Sequence, residues 1–209
     1  MIFDSKITGQ LLDLQLDFKA PNVAETDKDV KKARVFADLL KRNVSRLRLL
    51  PDFATIKGVI QVRETMNEWR EKANNGDSAT YYMYPKGTDT CVGCVRLKTA
   101  GQMVETAFWT AEEATGKGYM QDAAKAVEKM LFSNGAQEIV RRVYLQNPCH
   151  DAVKHNIEKA GYVPCAFKGV SYKKGDEKVF ETFHKTIQMY QDKKEIPFSL
   201  LTKQSKGRR

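Results

Sequence analysis

The sequence has no apolar run approaching the roughly 20 residues that cross a bilayer, so no membrane span is expected. Residues Met1 to Lys6 show no basic patch leading into an apolar stretch, and no secretory signal is read there. Cysteine is scarce. Cys91, Cys94, Cys149 and Cys165 stand at irregular spacing, which makes no disulfide framework for a chain of 209 residues. A reducing, cytoplasmic compartment is the expectation. The pair Cys91 and Cys94 has no second pair to complete a zinc site. On a predicted strand the two side chains point to opposite faces, so no metal is expected. No internal repeat is found.

What is there suffices for one globular domain. Apolar residues make up 42% of the chain, enough for a packed interior. The formal charge is +9. Part of that excess is a basic tail with Lys203, Lys206, Arg208 and Arg209. The rest is interleaved with acids and not clustered with aromatics, so a polyanionic cofactor fits the charge better than nucleic acid does.

Leu12, Leu14, Leu16 and Phe18 alternate with polar residues and predict a half-buried strand. After a loop with Pro21, Phe36, Leu39, Leu40, Val44 and Leu47 recur at helical spacing over 29–47, ended by Pro51. A second helix is predicted over 55–72, with Ile56, Val59, Ile60, Met66 and Trp69 inward. Then the texture becomes β-branched and aromatic. Strands at 80–84, 91–97 and 104–110 are separated by short turns at Lys86-Gly87 and Ala100-Gly101, which predicts antiparallel neighbours. A helix over 118–134 carries Met120, Ala123, Ala124, Val127 and Leu131 on one face. A strand at 139–145, a helix at 151–160 and strands at 162–170 and 178–187 complete an α/β domain of residues 1–190. Residues 191–209 read as a flexible tail, in which Ile196, Phe198, Leu200 and Leu201 could dock on the body.

The most informative stretch is Thr115-Gly116-Lys117-Gly118-Tyr119-Met120, between the strand ending at Thr110 and the next helix. Two glycines allow a tight turn and a close backbone approach. Successive N–H groups at a helix start make an anion nest. No Lys-Ser/Thr pair follows, so this is no Walker loop. Taken alone, the segment also reads as a tight strand-to-helix turn.

Its context is a series of motifs in order. These are Leu47-Arg-Leu-Leu-Pro51, Val92-Gly-Cys-Val-Arg-Leu97, Glu105-Thr-Ala-Phe-Trp-Thr110, the Gly116-Lys-Gly-Tyr119 loop with the acid that follows at Asp122, and Ile157-Glu-Lys-Ala-Gly-Tyr162. Over residues 30–187 the chain resembles the GNAT superfamily, in particular its RimJ/RimL-type branch of ribosomal-protein N-acetyltransferases. The resemblance implies a mixed, mostly antiparallel V-split sheet flanked by helices, with acetyl-CoA as cosubstrate. It further implies that backbone groups of Phe108, Trp109 and Thr110 pair with the pantetheine arm, and that the N–H groups of Thr115 to Met120 cradle the pyrophosphate.

The chain departs from the pattern where the family has a polar pair and an acid tyrosine: His150, Val153 and Ile157 stand there. Asn147 could take the asparagine's place at the cofactor after a local insertion, or simply cap the helix. His150 could bond the cofactor or protonate the leaving thiolate, or be a polar residue at a helix entrance. Glu105 opens the cofactor-presenting strand and is the general-base candidate, against a plain surface role. The expected reaction is direct acetyl transfer to a primary amine, a peptide N-terminus or small molecule. The competing expectation is an acyl-CoA-binding module without turnover. A monomer or homodimer is expected, and no motif names the acceptor.

Overall fold

The computed structural model describes residues 3–17, 26–47, 53, 56, 58–173 and 176–195. Phe18, the loop at Pro21, the break at Pro51, the helix start at Thr55 and the apolar residues of the tail lie outside them. The chain divides into two compact units, Met1–Ala136 and Gln137–Arg209, each with its own sheet order.

In the first unit, β1 (Lys6–Thr8), β2 (Leu12–Leu16), β3 (Ser78–Pro85), β4 (Gly93–Ala100) and β5 (Met103–Thr110) lie in chain order, every neighbouring pair antiparallel. The hairpins read from the Gly-bearing turns are there. Register splits the side chains into two faces. Leu12, Leu14, Tyr81, Met83, Val95, Leu97 and Val104 share one of them, all buried. The opposite face carries Ser78, Thr80, Tyr82, Cys94, Arg96, Lys98, Glu105, Ala107 and Trp109.

Helices α1 (Asp27–Arg42) and α3 (Gly58–Asn74) pack on that second face: Phe36 meets the Tyr82 ring edge-on at 4.9 Å, and the Arg96 guanidinium lies 4.6 Å over Trp69. A capping box starts α1, with Thr26 and Asp29 each bonding the other's backbone N–H. The helix predicted over 29–47 is interrupted. Asn43 ends α1, a short helix α2 (Val44–Leu47) follows, and Val44, expected inward, is 64% exposed. On α3 the inward stripe is Val62, Met66 and Trp69, while Ile60 is 72% exposed. Val62, Met66 and Trp69 stand at i, i+4 and i+7, and the face they share is the one that packing on the sheet selects.

A buried ion cluster ties α1 and α3 to β2. Asp17 accepts from Lys32 at 3.0 Å and from Arg70 at 3.2 Å, and Arg70 also reaches Asp29 at 3.1 Å. With both cations hydrogen-bonded to it, the buried carboxylate is compensated.

Helix α4 (Tyr119–Ser133) lies against β1, β2 and β5 and buries Ala123, Ala124, Val127 and Leu131. Met120 stays 37% exposed. The second unit holds β6 (Glu138–Tyr144), β7 (Val163–Lys173) and β8 (Asp176–Thr186), in the order β6-β8-β7 and antiparallel. Helices α5 (His150–Lys159) and α6 (Ile187–Glu195) belong to it. Its core is Ile139, Val143, Ile157, Tyr162 and Phe183. The α/β class and the antiparallel pairing expected from the sequence are those of the structure. No helix among the described residues is long and apolar enough to cross a membrane.

Candidate active site

The chain leaves β5 through a 3-10 turn at Glu112–Ala114 and enters α4 at Gly118. Gly116 and Gly118 sit at φ 78° and 76°, left-handed backbone that a side chain would strain. A Cβ on Gly116 would meet open space, and one on Gly118 only Leu11 Cδ1 at 3.4 Å. The first helical bond of α4 is Asp122 N–H to Gly118 O. Among the described residues, the backbone N–H groups of Gly116, Lys117, Gly118, Tyr119 and Met120 have no acceptor. Thr115 departs from the expectation. Its N–H closes the 3-10 turn onto Glu112 O at 3.0 Å and its hydroxyl donates to Ala111 O, so it is not part of the donor set.

Two contacts that the sequence did not reveal hold this loop. Asn43, 1% exposed, donates to Leu39 O at 2.9 Å and accepts from Glu112 N–H at 2.9 Å, joining the end of α1 to the turn. Asp122, in the first turn of α4, accepts from the N–H groups of Gln10 at 2.8 Å, Leu11 at 2.8 Å and Leu12 at 3.2 Å. Three backbone donors thus engage both oxygens of this carboxylate beside the nest. The β1–β2 turn is thereby clamped to the helix start, and a Cβ on Gly9 would collide with the Asp122 carboxylate. Each contact joins residues far apart in sequence, where no local pattern signals a pairing.

Trp109 packs in the core, 4% exposed and 6.3 Å from Phe53, while Phe108 is half-exposed. Thr110 pairs with Gly93 across β4. A side chain at Gly93 would collide with the Trp109 carbonyl oxygen, so this strand approach needs glycine. Glu105 is half-buried and in direct register with Lys98. Lys98 lines a cleft of about 470 Å3 with Ser78, Arg96, Trp69, Glu68 and Lys72, between α3 and the sheet. Glu105 therefore shares the face of the sheet onto which this cleft opens.

Asn147 and His150 lie in the second unit. Asn147 Oδ1 accepts from Cys149 N–H at 2.9 Å, and its carbonyl accepts from His150 N–H at 2.9 Å. Its side-chain oxygen thus holds the entry to α5. His150 Nδ1 is 2.9 Å from Asp151 Oδ1, and Nε2 is 3.4 Å from Glu181 Oε2, which also takes Lys154 at 3.2 Å. The imidazole sits between two carboxylates.

All four cysteines are free. Strand β4 begins at Gly93, so Cys91 precedes the strand and does not lie on it as expected. Burial pushes the Cys91 thiol up to about 11. Its Sγ donates to Gly93 O at 3.3 Å. Among the described residues no group of three or more His, Cys, Asp and Glu could hold a metal.

The sequence model of the acetyltransferase (GNAT) domain matches residues 28–163, a span from α1 to the start of β7 that includes the nest, Glu105 and the cleft. The chain belongs to the GNAT acetyltransferase family. Solved structures of that kind share its fold. RimL, the ribosomal L7/L12 alpha-N-protein acetyltransferase, solved in complex with coenzyme A, has a TM-score of 0.70 at 14% identity, covering 88% of this chain and 99% of that one. A Salmonella typhimurium acetyltransferase that modifies the N-terminal serine of L7/L12 gives 0.68 at 14% identity, over 85% and 96%. The microcin C7 self-immunity acetyltransferase MccE, with acetyl-CoA and AMP, gives 0.66 at 14%, over 85% and 93%. At these identities the likeness is one of fold. Among curated protein sequences none matches the chain.

Proposed function

We propose that this GNAT protein transfers the acetyl group of acetyl-CoA directly to a primary amine, a peptide N-terminus or a small molecule. The observation that carries the reading is the nest of five N–H groups, Gly116 to Met120, without an acceptor among the described residues, where the chain passes from β5 into α4. A pyrophosphate supplies the charge and the oxygens that such a nest takes. The exposed ammonium of Lys117 adds a cation beside it. The open space at Gly116 leaves nothing to displace. We assign the backbone of Phe108, Trp109 and Thr110 to the pantetheine arm and the amide nitrogen of Asn147, whose oxygen is engaged, to a cofactor hydrogen bond.

Acetyl-CoA supplies the activated acetyl group, and the chain supplies placement and proton transfer. Glu105, on the face of the acceptor cleft, takes the proton of the attacking amine, directly or through water. A peptide α-amino group, with a pKa of about 8, asks less of that base than a lysine at about 10.4. His150 is assigned the proton for the departing thiolate. Ile157, buried where the family pattern has its acid tyrosine, supports a second reading, a binding module without turnover. Thiol release from acetyl-CoA across a panel of amines and peptides separates the two.

Calorimetry with acetyl-CoA tests the site. One molecule should bind per chain, and Gly118→Glu, which adds a strained side chain and a negative charge at the nest, should abolish binding. Gly118→Ala should weaken it less. Unchanged affinity in the Glu variant would place the pyrophosphate elsewhere.

A further inference from the structure

The cleft between α3 and the sheet carries a charge pattern that narrows the acceptor. Its lining from the sheet is Ser78 on β3 and Arg96 and Lys98 on β4, with Lys98 in register with Ser78 on one side and Glu105 on the other. Ser78 is 3% exposed, and its hydroxyl has no hydrogen-bond partner among the described residues. A buried hydroxyl left unpaired costs free energy until a ligand or water satisfies it. The Arg96 guanidinium is held 4.6 Å over the Trp69 ring, so this donor is fixed in place. Lys98 and Lys72 have no carboxylate partner among the described residues, and both line the same cleft. The three cations and the hydroxyl all donate hydrogen bonds. Glu68 and Asp77 also line the cleft, so its lining is of mixed sign with the cations in excess.

We propose that this cleft selects amine acceptors carrying an anionic group, carboxylate or phosphate, near the amine, with Ser78, Arg96 and Lys98 receiving the anion and Lys72 on the rim. The inference rests on the acetyl-transfer reading for the word acceptor, but not for the binding itself. A volume of about 470 Å3 lies within the range of small-ligand sites, enough for an amino acid or the first residues of a peptide. The amine end falls toward Glu105, because Lys98 and Glu105 are direct cross-strand neighbours.

The test measures binding and transfer separately. Short peptides with a free N-terminus and Asp or Glu at the second and third positions are titrated calorimetrically against the same peptides with Lys there. A free acidic amino acid and a phosphate-bearing primary amine are run beside them. Anionic ligands should bind about tenfold more tightly than the Lys peptides, the order expected for one or two partly exposed charge pairs. Lys98→Met should remove most of that preference and Ser78→Ala a part of it, with a neutral peptide shifted little. Lys98 is exposed, so its variant folds. The peptide, amino-acid and phosphate arms identify which anion is taken. Equal or tighter binding of the Lys peptides, no binding of any anionic ligand, or an undiminished preference in Lys98→Met would each overturn the proposal. Anion-selective binding with no thiol release from acetyl-CoA would instead overturn the transfer reading and leave the cleft assignment standing.

Discussion

A carboxylate at the start of a strand is a common feature, and position alone supports the general-base role proposed for Glu105. It is half-buried, in register with Lys98, and on the face where the cleft opens. Glu105→Gln keeps shape and hydrogen bonding while removing basicity. On a free-amine acceptor we expect turnover to fall about 10²- to 10⁴-fold, the range for losing a general base, with acetyl-CoA affinity nearly intact. His150→Ala should cost less. An unaltered rate in the Gln variant would mean that solvent or another group takes the proton. At this scale the sequence was informative where a backbone requirement shows as a residue type. The glycines of the nest are written plainly at 116 and 118 because left-handed backbone selects them. Asn43 and Asp122 could not be read as the supports of that loop. Their partners, Glu112 and the Gln10 to Leu12 segment, are set by tertiary packing alone.

Elements were legible wherever hydrophobic periodicity was strong, and failed where it was short or shared. Strand β1 is three residues, Lys6 to Thr8, with one inward side chain, too few for a period of two to register. Helix α6 begins at Ile187, directly where strand β8 stops, so strand texture masks its start. It also carries helical backbone to Glu195, past the point where the sequence reads as tail. The β1–β2 hairpin is small and owes its place to the Asp122 clamp, which makes the clamp testable. Asp122→Ala leaves three backbone donors without an acceptor, and we expect a loss of about 3 kcal/mol in urea unfolding. Asp122→Asn, which keeps one carbonyl oxygen, should lose less. Hydrogen exchange should quicken in residues 6–16 first, and Gly9→Ala should do the same by displacing the carboxylate. Wild-type exchange in the hairpin of the Ala variant would show that the apolar face holds it unaided.

For the whole molecule, two electrostatic effects oppose one another as pH rises. The chain carries +9 at pH 7 and has a sequence pI of about 9.3, so general repulsion is relieved on the way to pH 9 and favours the folded state. Against this stand buried groups on and beside β3 that must stay protonated. Burial pushes Tyr81, Tyr82 and Tyr84 well above the usual phenol range, with nearby negative charge from Asp4 or Asp17 adding to it. The Cys91 thiol is moved from 9.0 to about 11 by the same loss of solvation. A group whose folded pKa is raised contributes its full stability below the unfolded value and loses it as pH rises through the folded one. For Cys91 that window runs from about 9 to about 11 and is worth on the order of 3 kcal/mol. The tyrosines add their share above about 10, where the unfolded phenols ionise. Screened surface repulsion is worth less than desolvating a thiolate, so the buried groups should win above pH 9. We expect unfolding free energy to be flat or slightly rising from pH 7 to 9 and to fall steeply by pH 11. Cys91→Ala should flatten the 9–10 part of that fall, at a constant packing cost. A denaturation series giving equal stability at pH 9 and 11 would mean that water reaches both faces of β3 and that these groups ionise in place.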